Sequence, residues 1–180
     1  MDVKNQSLLG LFTAALLSAS FGAQAVGLLV GQVGVQLTIS TGCTIGNGSV
    51  TGGINQWGTL NFGNYADVTS IINGTVAGSN GSAVTITCST GLTPSMSLNG
   101  GLAATGAVRA MTSSGNKISY RLFSDAAHTT EIGINTPVTL TTGTTAQNIP
   151  IYGRVLPGDQ TSTTPAAGTY NDTVVATISW

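Results

Sequence analysis

Charge is what this 180-residue sequence has least of. It contains five Lys and Arg, six Asp and Glu and one His, so charged residues make up 6% of the chain, against about a quarter in ordinary globular proteins. Nucleic acids and anionic membrane surfaces are bound by clustered Lys and Arg, so the composition argues against both as partners. Apolar residues make up 41%, which is enough for the core of one domain with one extension.

Catalytic and metal-binding residues are also scarce. His128 is the only histidine, and a Ser-His-Asp arrangement would need it beside Asp125 or Glu131. All three lie in the segment DAAHTTE, which is typical of a turn, where we expect them to be solvated. No paired carboxylates and no glycine-rich phosphate loop are recognisable. We therefore predict that the protein is not an enzyme and has no cofactor. We also predict no metal site, since two cysteines and one distant histidine are too few ligands.

Long apolar runs are missing as well. The longest block, residues 8–17, is too short for a comfortable membrane span. It follows Lys4 and precedes the Ala-Gln-Ala sequence at 23–25, a small-x-small pattern typical of a signal peptidase site. We interpret residues 1–25 as a signal peptide, with an uncleaved membrane anchor as the alternative, and predict no other membrane-inserted segment.

Cysteine occurs only twice, at Cys43 and Cys88. Export would place both in an oxidising compartment, where cysteines pair. With two cysteines the connectivity is fixed, and the sequence predicts a Cys43–Cys88 disulfide. This disulfide closes the loop between Cys43 and Cys88, and the chain-entropy model assigns the closure a stabilisation of roughly 4 kcal/mol.

What the sequence does contain is short runs in which apolar residues alternate with Thr and Ser, the pattern of half-buried β-strands. These runs are residues 32–39, 83–88, 94–99, 117–123, 137–142, 148–155 and 173–180. The Asn-Gly pairs at 47–48, 73–74, 80–81 and 99–100 predict tight turns between strands. Because no segment shows sustained helical periodicity, we predict an all-β sandwich.

The two ends of this strand series are the most informative. The first run has no charged residue, and its apolar positions are Leu29, Val33, Val35, Leu37 and Ile39. The last run stops without a following turn, and its residues on one face are Val174, Ala176, Ile178 and Trp180. An unpaired edge is a liability, and strand exchange between copies would remove it and could continue into a filament. On the pattern alone, a complete sandwich with residues 32–39 as its own first strand stays open.

Several blocks of the sequence resemble a known family. KISYRLFSDAAHTTEIG (117–133) resembles the Y-x-L-[YF]-x-D-x-x-x-T stretch of the spore coat U domain family. IPIYGRV (149–155) and PAAGTYNDTV (165–174), with the closing alternation to residue 180, resemble that family's C-terminal signature. GQVGVQLTISTGCTI (31–45), followed by WGTLNFG (57–63), is similar to the major subunits of archaic, Csu-type chaperone–usher pili.

The resemblance implies a fold and a mode of assembly. Such subunits have an incomplete immunoglobulin-like sandwich that lacks its last strand. A periplasmic chaperone lends a strand to the groove, and at an outer-membrane usher the N-terminal donor segment of the next subunit replaces it. Residues 26–40 match the donor segment, and residues 41–180 match the pilin domain. The resemblance implies that Val33, Val35, Leu37 and Ile39 enter the groove, with Leu29 as an added apolar residue.

The function that follows from the resemblance is structural. We expect a subunit that is exported through the periplasm to the cell surface and polymerises with identical or homologous subunits into a pilus that supports adhesion and biofilm formation. The alternatives are a secreted coat protein and a tip adhesin or carbohydrate-binding module. Two further expectations concern packing. Tyr170 forms either a tyrosine corner or part of the core. Three aromatic residues fill the core, with contact to a partner as the alternative: Trp57, Phe62 and Trp180.

Overall fold

The computed structural model describes residues 32–51 and 54–180. The chain divides after Thr38, and Ile39–Trp180 form one compact unit. In the described residues every strand belongs to this unit, and the one helical element is a short 3₁₀ turn, Pro157–Asp159. The predicted all-β fold is confirmed.

The strands are short, as expected of runs bounded by glycine and asparagine. In chain order they are β1 (Cys43–Gly46), β2 (Ser49–Thr51), β3 (Ile54–Gln56), β4 (Thr59–Leu60), β5 (Ile72–Ala77), β6 (Thr85–Cys88), β7 (Ser95–Leu98), β8 (Arg109–Ser113), β9 (Asn116–Phe123), β10 (Val138–Thr139), β11 (Gln147–Asn148), β12 (Tyr152–Val155) and β13 (Ala176–Ser179).

The strands pair antiparallel into several sheets. The largest has the order β4-β5-β12-β9-β8, two three-stranded sheets have the orders β1-β6-β11 and β10-β7-β13, and β2 pairs with β3. Apolar residues that alternate along these strands meet in one core, whose fully buried members include Ile86, Met96, Leu98, Ile132 and Val155. Cys43 and Cys88 lie opposite each other in the β1–β6 ladder and form a disulfide.

One predicted strand is divided in two. The run at 148–155 forms β11, which pairs with β6, and β12, which pairs with β5 and β9. Pro150 lies between them. Proline has no N–H to donate to a ladder, so the chain leaves one sheet there and enters the other.

One predicted turn is wrong. Asn73-Gly74 lies inside β5, where Gly74 is the cross-strand partner of Gly153 in β12. A Cβ built on Gly74 would be 2.9 Å from Leu60 Cδ2 and 3.1 Å from Phe62 Cδ1. The pair of glycines therefore serves packing, because it makes room for two apolar side chains across the sheet. Positive φ angles do occur at Asn47 (61°) and Gly81 (78°), in two of the predicted turns.

Candidate functional site

A groove with a volume of 630 Å³, lined by both apolar and polar side chains, lies beside the last strand. Residues from the five-stranded sheet form one side, and the segment that leads into β13 forms another. Its apolar lining includes Leu60, Phe62, Val76, Leu98, Val174 and Ala176. The volume is in the range typical of ligand clefts, about 300–1,000 Å³, so the groove is large enough to take several side chains.

One edge of β13 is open. The strand is at the end of the sheet β10-β7-β13, so no strand of the described residues pairs with its other side. The Asn99 N–H donates to the Val175 carbonyl at 3.0 Å, and hydrogen-bonded pairs alternate along an antiparallel ladder. The backbone groups of Ala176 and Ile178 therefore point away from β7, towards a position where a further strand could bind.

The inward side chains of β13 are incompletely covered. Val174, Ala176 and Ile178 are half-buried and pack against the core. Trp180 is 60% exposed, so the expectation that it fills the core is wrong. The physical reason is its position: the partner strand β7 begins at Ser95, opposite Ser179, and Trp180 lies beyond that pair. Trp57 and Phe62 are partly buried against the core.

The predicted donor residues lie in a segment without secondary structure. Residues 32–42 form no strand, in contrast to the strand predicted over 32–39. The exposed fractions of its four apolar side chains are large: Val33 88%, Val35 92%, Leu37 83% and Ile39 87%. Exposed apolar surface of this kind commonly marks an interaction site. The predicted signal peptide (1–25) and Leu29 lie outside the described residues.

A buried arginine lies near the groove. Arg109 in β8 is 1% exposed, and its guanidinium donates to the carbonyls of Asn99 (2.8 Å), Leu98 (2.9 Å) and Ile132 (2.8 Å). Burial lowers its pKa from the ordinary value, although a guanidinium stays charged in proteins. No sequence pattern indicates that this residue is buried, since a charged side chain in a strand is usually exposed.

Tyr120 and Asp172 form a second polar contact, in the groove wall itself. Tyr120 is the cross-strand partner of Arg109, and its hydroxyl donates to Asp172 Oδ2 at 2.7 Å. Burial, together with this hydrogen bond, raises the pKa of Tyr120 above its ordinary value. Asp172 Oδ1 accepts from the backbone N–H groups of Leu102 (2.7 Å) and Thr173 (2.8 Å), so the carboxylate is well satisfied.

Tyr170 has the geometry of a tyrosine corner. Its hydroxyl donates to the carbonyl of Ala166 at 2.8 Å, four residues upstream, and its ring is partly buried against the core. A tyrosine corner fixes the entry of a strand into a sandwich. Tyr170 lines the groove as well, so both the predicted corner and the predicted core contact occur.

The residues considered for catalysis do not assemble. The His128 ring packs edge-on against Phe123 (centroids 5.2 Å apart) and Tyr152 (6.1 Å), so the expectation that it is solvated is wrong. Asp125 instead accepts hydrogen bonds from the N–H groups of Thr129 and Thr130. In residues 32–51 and 54–180 no group of three metal-ligating side chains occurs, and no helix of that part is long and apolar enough to cross a membrane.

A known protein family matches most of the chain. The sequence model described as Spore Coat Protein U domain matches residues 29–177. The chain belongs to the spore coat protein U domain family. This is a family of structural pilus subunits and not of enzymes, and the resemblance noted in the sequence is confirmed at the level of the family.

The chain is also similar to a solved structure. This is the crystal structure of the CsuC–CsuE chaperone–tip adhesion subunit pre-assembly complex from the archaic chaperone–usher Csu pili of Acinetobacter baumannii. The sequences are 24% identical and the TM-score is 0.49. The match covers 79% of this chain and 40% of that chain, so it spans less than half of the solved chain. Comparison with curated protein sequences found no match.

Proposed function

We propose that the protein is a structural subunit of a surface pilus, in which residues 26–40 of one copy bind in the groove beside β13 of the next copy. The observation that carries the proposal is the open edge of β13 next to a groove with apolar side chains in its lining, together with incomplete cover of Val174, Ala176 and Ile178. A strand placed there would receive the free backbone groups of β13 and cover its inward side chains.

The segment at residues 32–39 has the chemistry that such a site requires. Its apolar side chains recur at every second residue, so in an extended strand all of them face the same side, about 6.6–6.8 Å apart. It contains no charged side chain that would have to be desolvated. Val33, Val35, Leu37 and Ile39 are strongly exposed in the single chain, so binding in a groove would remove a large apolar surface from water.

The energy of this burial is large on the scale of one domain. Burying four or five aliphatic side chains contributes about 1.5–3 kcal/mol each, or roughly 6–15 kcal/mol in total as an upper value. Domains as a whole are stable by about 5–15 kcal/mol. We therefore expect a dissociated subunit to be weakly stable and an assembled one to be long-lived.

Family membership supports the rest of the assembly route. We propose that residues 1–25 are a signal peptide, that a periplasmic chaperone fills the groove first, and that exchange for the donor segment takes place at an outer-membrane usher. The product would be a homopolymer, or a polymer with homologous subunits, on the cell surface, where it supports adhesion and biofilm formation. An alternating apolar segment ahead of Cys43 is what a donating subunit needs, which favours a shaft subunit over a tip adhesin.

The test is the ability of donor variants to form filaments. Leu37→Asp places a charge at a position that we assign to the groove, whereas Gln36→Asp places the same charge at the adjacent position, which would face away from it. We expect thin filaments in negative-stain electron microscopy from the wild type and from Gln36→Asp, and dissociated subunits from Leu37→Asp. Filaments of normal length from Leu37→Asp would contradict the proposal.

A further inference from the structure

The segment at residues 171–175 crosses between two sheets and forms one wall of the groove. At its start, Asn171 exchanges backbone hydrogen bonds with Thr112 of β8, with N···O distances of 3.1 and 2.9 Å. At its end, the Val175 N–H donates to Asn99 Oδ1 at 2.8 Å, and the Val175 carbonyl accepts from the Asn99 N–H at 3.0 Å. The wall is therefore held at one end by the five-stranded sheet and at the other by the end of β7.

The middle of this wall is held by Asp172. Its carboxylate accepts the Tyr120 hydroxyl from β9 and two backbone N–H groups, from Leu102 and Thr173. Gly101 makes this arrangement possible: its φ is 74°, and a Cβ at this position would overlap the carboxylate of Asp172. Any other residue at position 101 would displace the carboxylate and, with it, the wall.

Arg109 acts on the other end of the same wall. Its guanidinium binds the carbonyl of Asn99, the residue whose own N–H and side-chain oxygen hold Val175. A buried charge is costly unless its hydrogen bonds are satisfied, and here the carbonyls of Leu98 and Ile132 help to satisfy it. The position of Asn99, and through it the entry into β13, is thereby tied to β8.

We propose that two polar contacts, that of Arg109 with the Asn99 carbonyl and that of Tyr120 with Asp172, together form a network that fixes the groove wall before a donor strand arrives. Arg109, Tyr120 and Asp172 are positioning residues: the network acts by holding residues 171–175 in place, so that a donor does not have to order them when it binds. This inference rests on the proposed function, because it takes the groove as the donor site. In this view, the lifetime of a donor strand in the groove depends on polar residues of the groove wall as well as on the apolar residues of the donor.

The first test measures local opening of the wall by hydrogen exchange. Tyr120→Phe removes only the hydroxyl that binds Asp172, and Ile118→Val is the matched control, since Ile118 lies on the same strand with a buried side chain. Both are introduced into the full chain carrying Leu37→Asp, so that the groove is free of a donor. We expect amide exchange in residues 172–178 to rise about tenfold in Tyr120→Phe, in line with loss of a hydrogen bond to a charged group, and to rise no more than in the rest of the sandwich in Ile118→Val.

The second test measures the donor itself. Filaments of the otherwise wild-type chain carrying Tyr120→Phe should dissociate in denaturant about tenfold faster than filaments carrying Ile118→Val, and Asp172→Asn should act in the same direction. Equal local exchange in the two variants, or equal rates of filament dissociation, would overturn the inference. Failure of the proposed function has a different signature, because filaments would then persist in the Leu37→Asp chain whatever the state of the network.

Discussion

Strands β9 and β13 have the same sequence pattern and different surroundings. In β9, which pairs with β12 on one side and β8 on the other, Ile118, Tyr120 and Leu122 are 9%, 5% and 4% exposed. In β13, whose one partner among the described strands is β7, the inward residues Ala176 and Ile178 are half-buried. The alternation of apolar residues thus determines which face of a strand turns inward, whereas the number of neighbouring strands determines how completely that face is covered.

The largest expected effect is the loss of stability when the disulfide is removed, and it should be the same for β9 and β13. Replacing both Cys43 and Cys88 by Ala removes the disulfide between β1 and β6, which should cost roughly 4 kcal/mol because the unfolded chain gains the entropy of the open loop. The free energy of unfolding in denaturant, measured on dissociated subunits with and without reductant, checks this. Reductant should destabilise the wild type and leave the double variant unchanged. If the double variant equals the oxidised wild type in stability, the prediction is wrong.

Truncation in the covered strand should come next. Ile118→Ala leaves a cavity beneath β9, and truncation of a buried Ile to Ala costs about 2–5 kcal/mol. Because Ile118 is buried and does not line the groove, we expect the same loss of unfolding free energy in dissociated subunits and in filaments. A loss that appears only after assembly would show that β9 also depends on a partner.

Truncation in the open strand should behave differently. Ile178→Ala removes a half-buried side chain, so in the dissociated subunit we expect a cost of only about 1 kcal/mol. In filaments, where a donor strand would cover this position, the cost should rise towards that of a fully buried residue. Denaturation of both forms, with Thr177→Ala on the outward face as the control, measures the difference. Equal costs of Ile178→Ala in the two forms would remove the contrast between β9 and β13.

The sequence pattern predicts β9 well and the groove poorly, for identifiable reasons. Residues 117–123 alternate without interruption and become β9 almost as predicted. Strand β5 escapes prediction because Asn73-Gly74 is typical of a turn, whereas Gly74 is there to accommodate Leu60 and Phe62. Whether a strand has one neighbour or two depends on pairing between residues far apart in the chain, which alternation does not encode.

The polar residues of the site are hard to predict for a related reason. Arg109 lies in the core because its guanidinium finds the carbonyls of Leu98, Asn99 and Ile132, and these partners meet only when both sheets are assembled. In the sequence, Arg109 is an isolated charge of the kind that is normally solvated. A resemblance of sequence blocks could identify the family, but the buried arginine and its partners become visible only in the fold.

The smallest expected effect uses pH, since strands β7, β10 and β13 contain no ionisable side chain whereas the turn that follows β9 contains Asp125. Hydrogen bonds from the backbone N–H groups of Thr129 and Thr130 lower the pKa of Asp125 from 3.8 to about 2. A pKa that is lower in the folded state stabilises the fold above the unfolded value, and this contribution is lost as the pH falls through the folded value.

Between about pH 4 and pH 2, the amide signals of Thr129 and Thr130 in NMR spectra of a filament-deficient variant should therefore shift with the Asp125 carboxyl signal. The amides of β10 should stay unchanged, and Asp125→Asn should abolish the shift. Titration of Asp125 at its ordinary value would show that these hydrogen bonds are weak in solution.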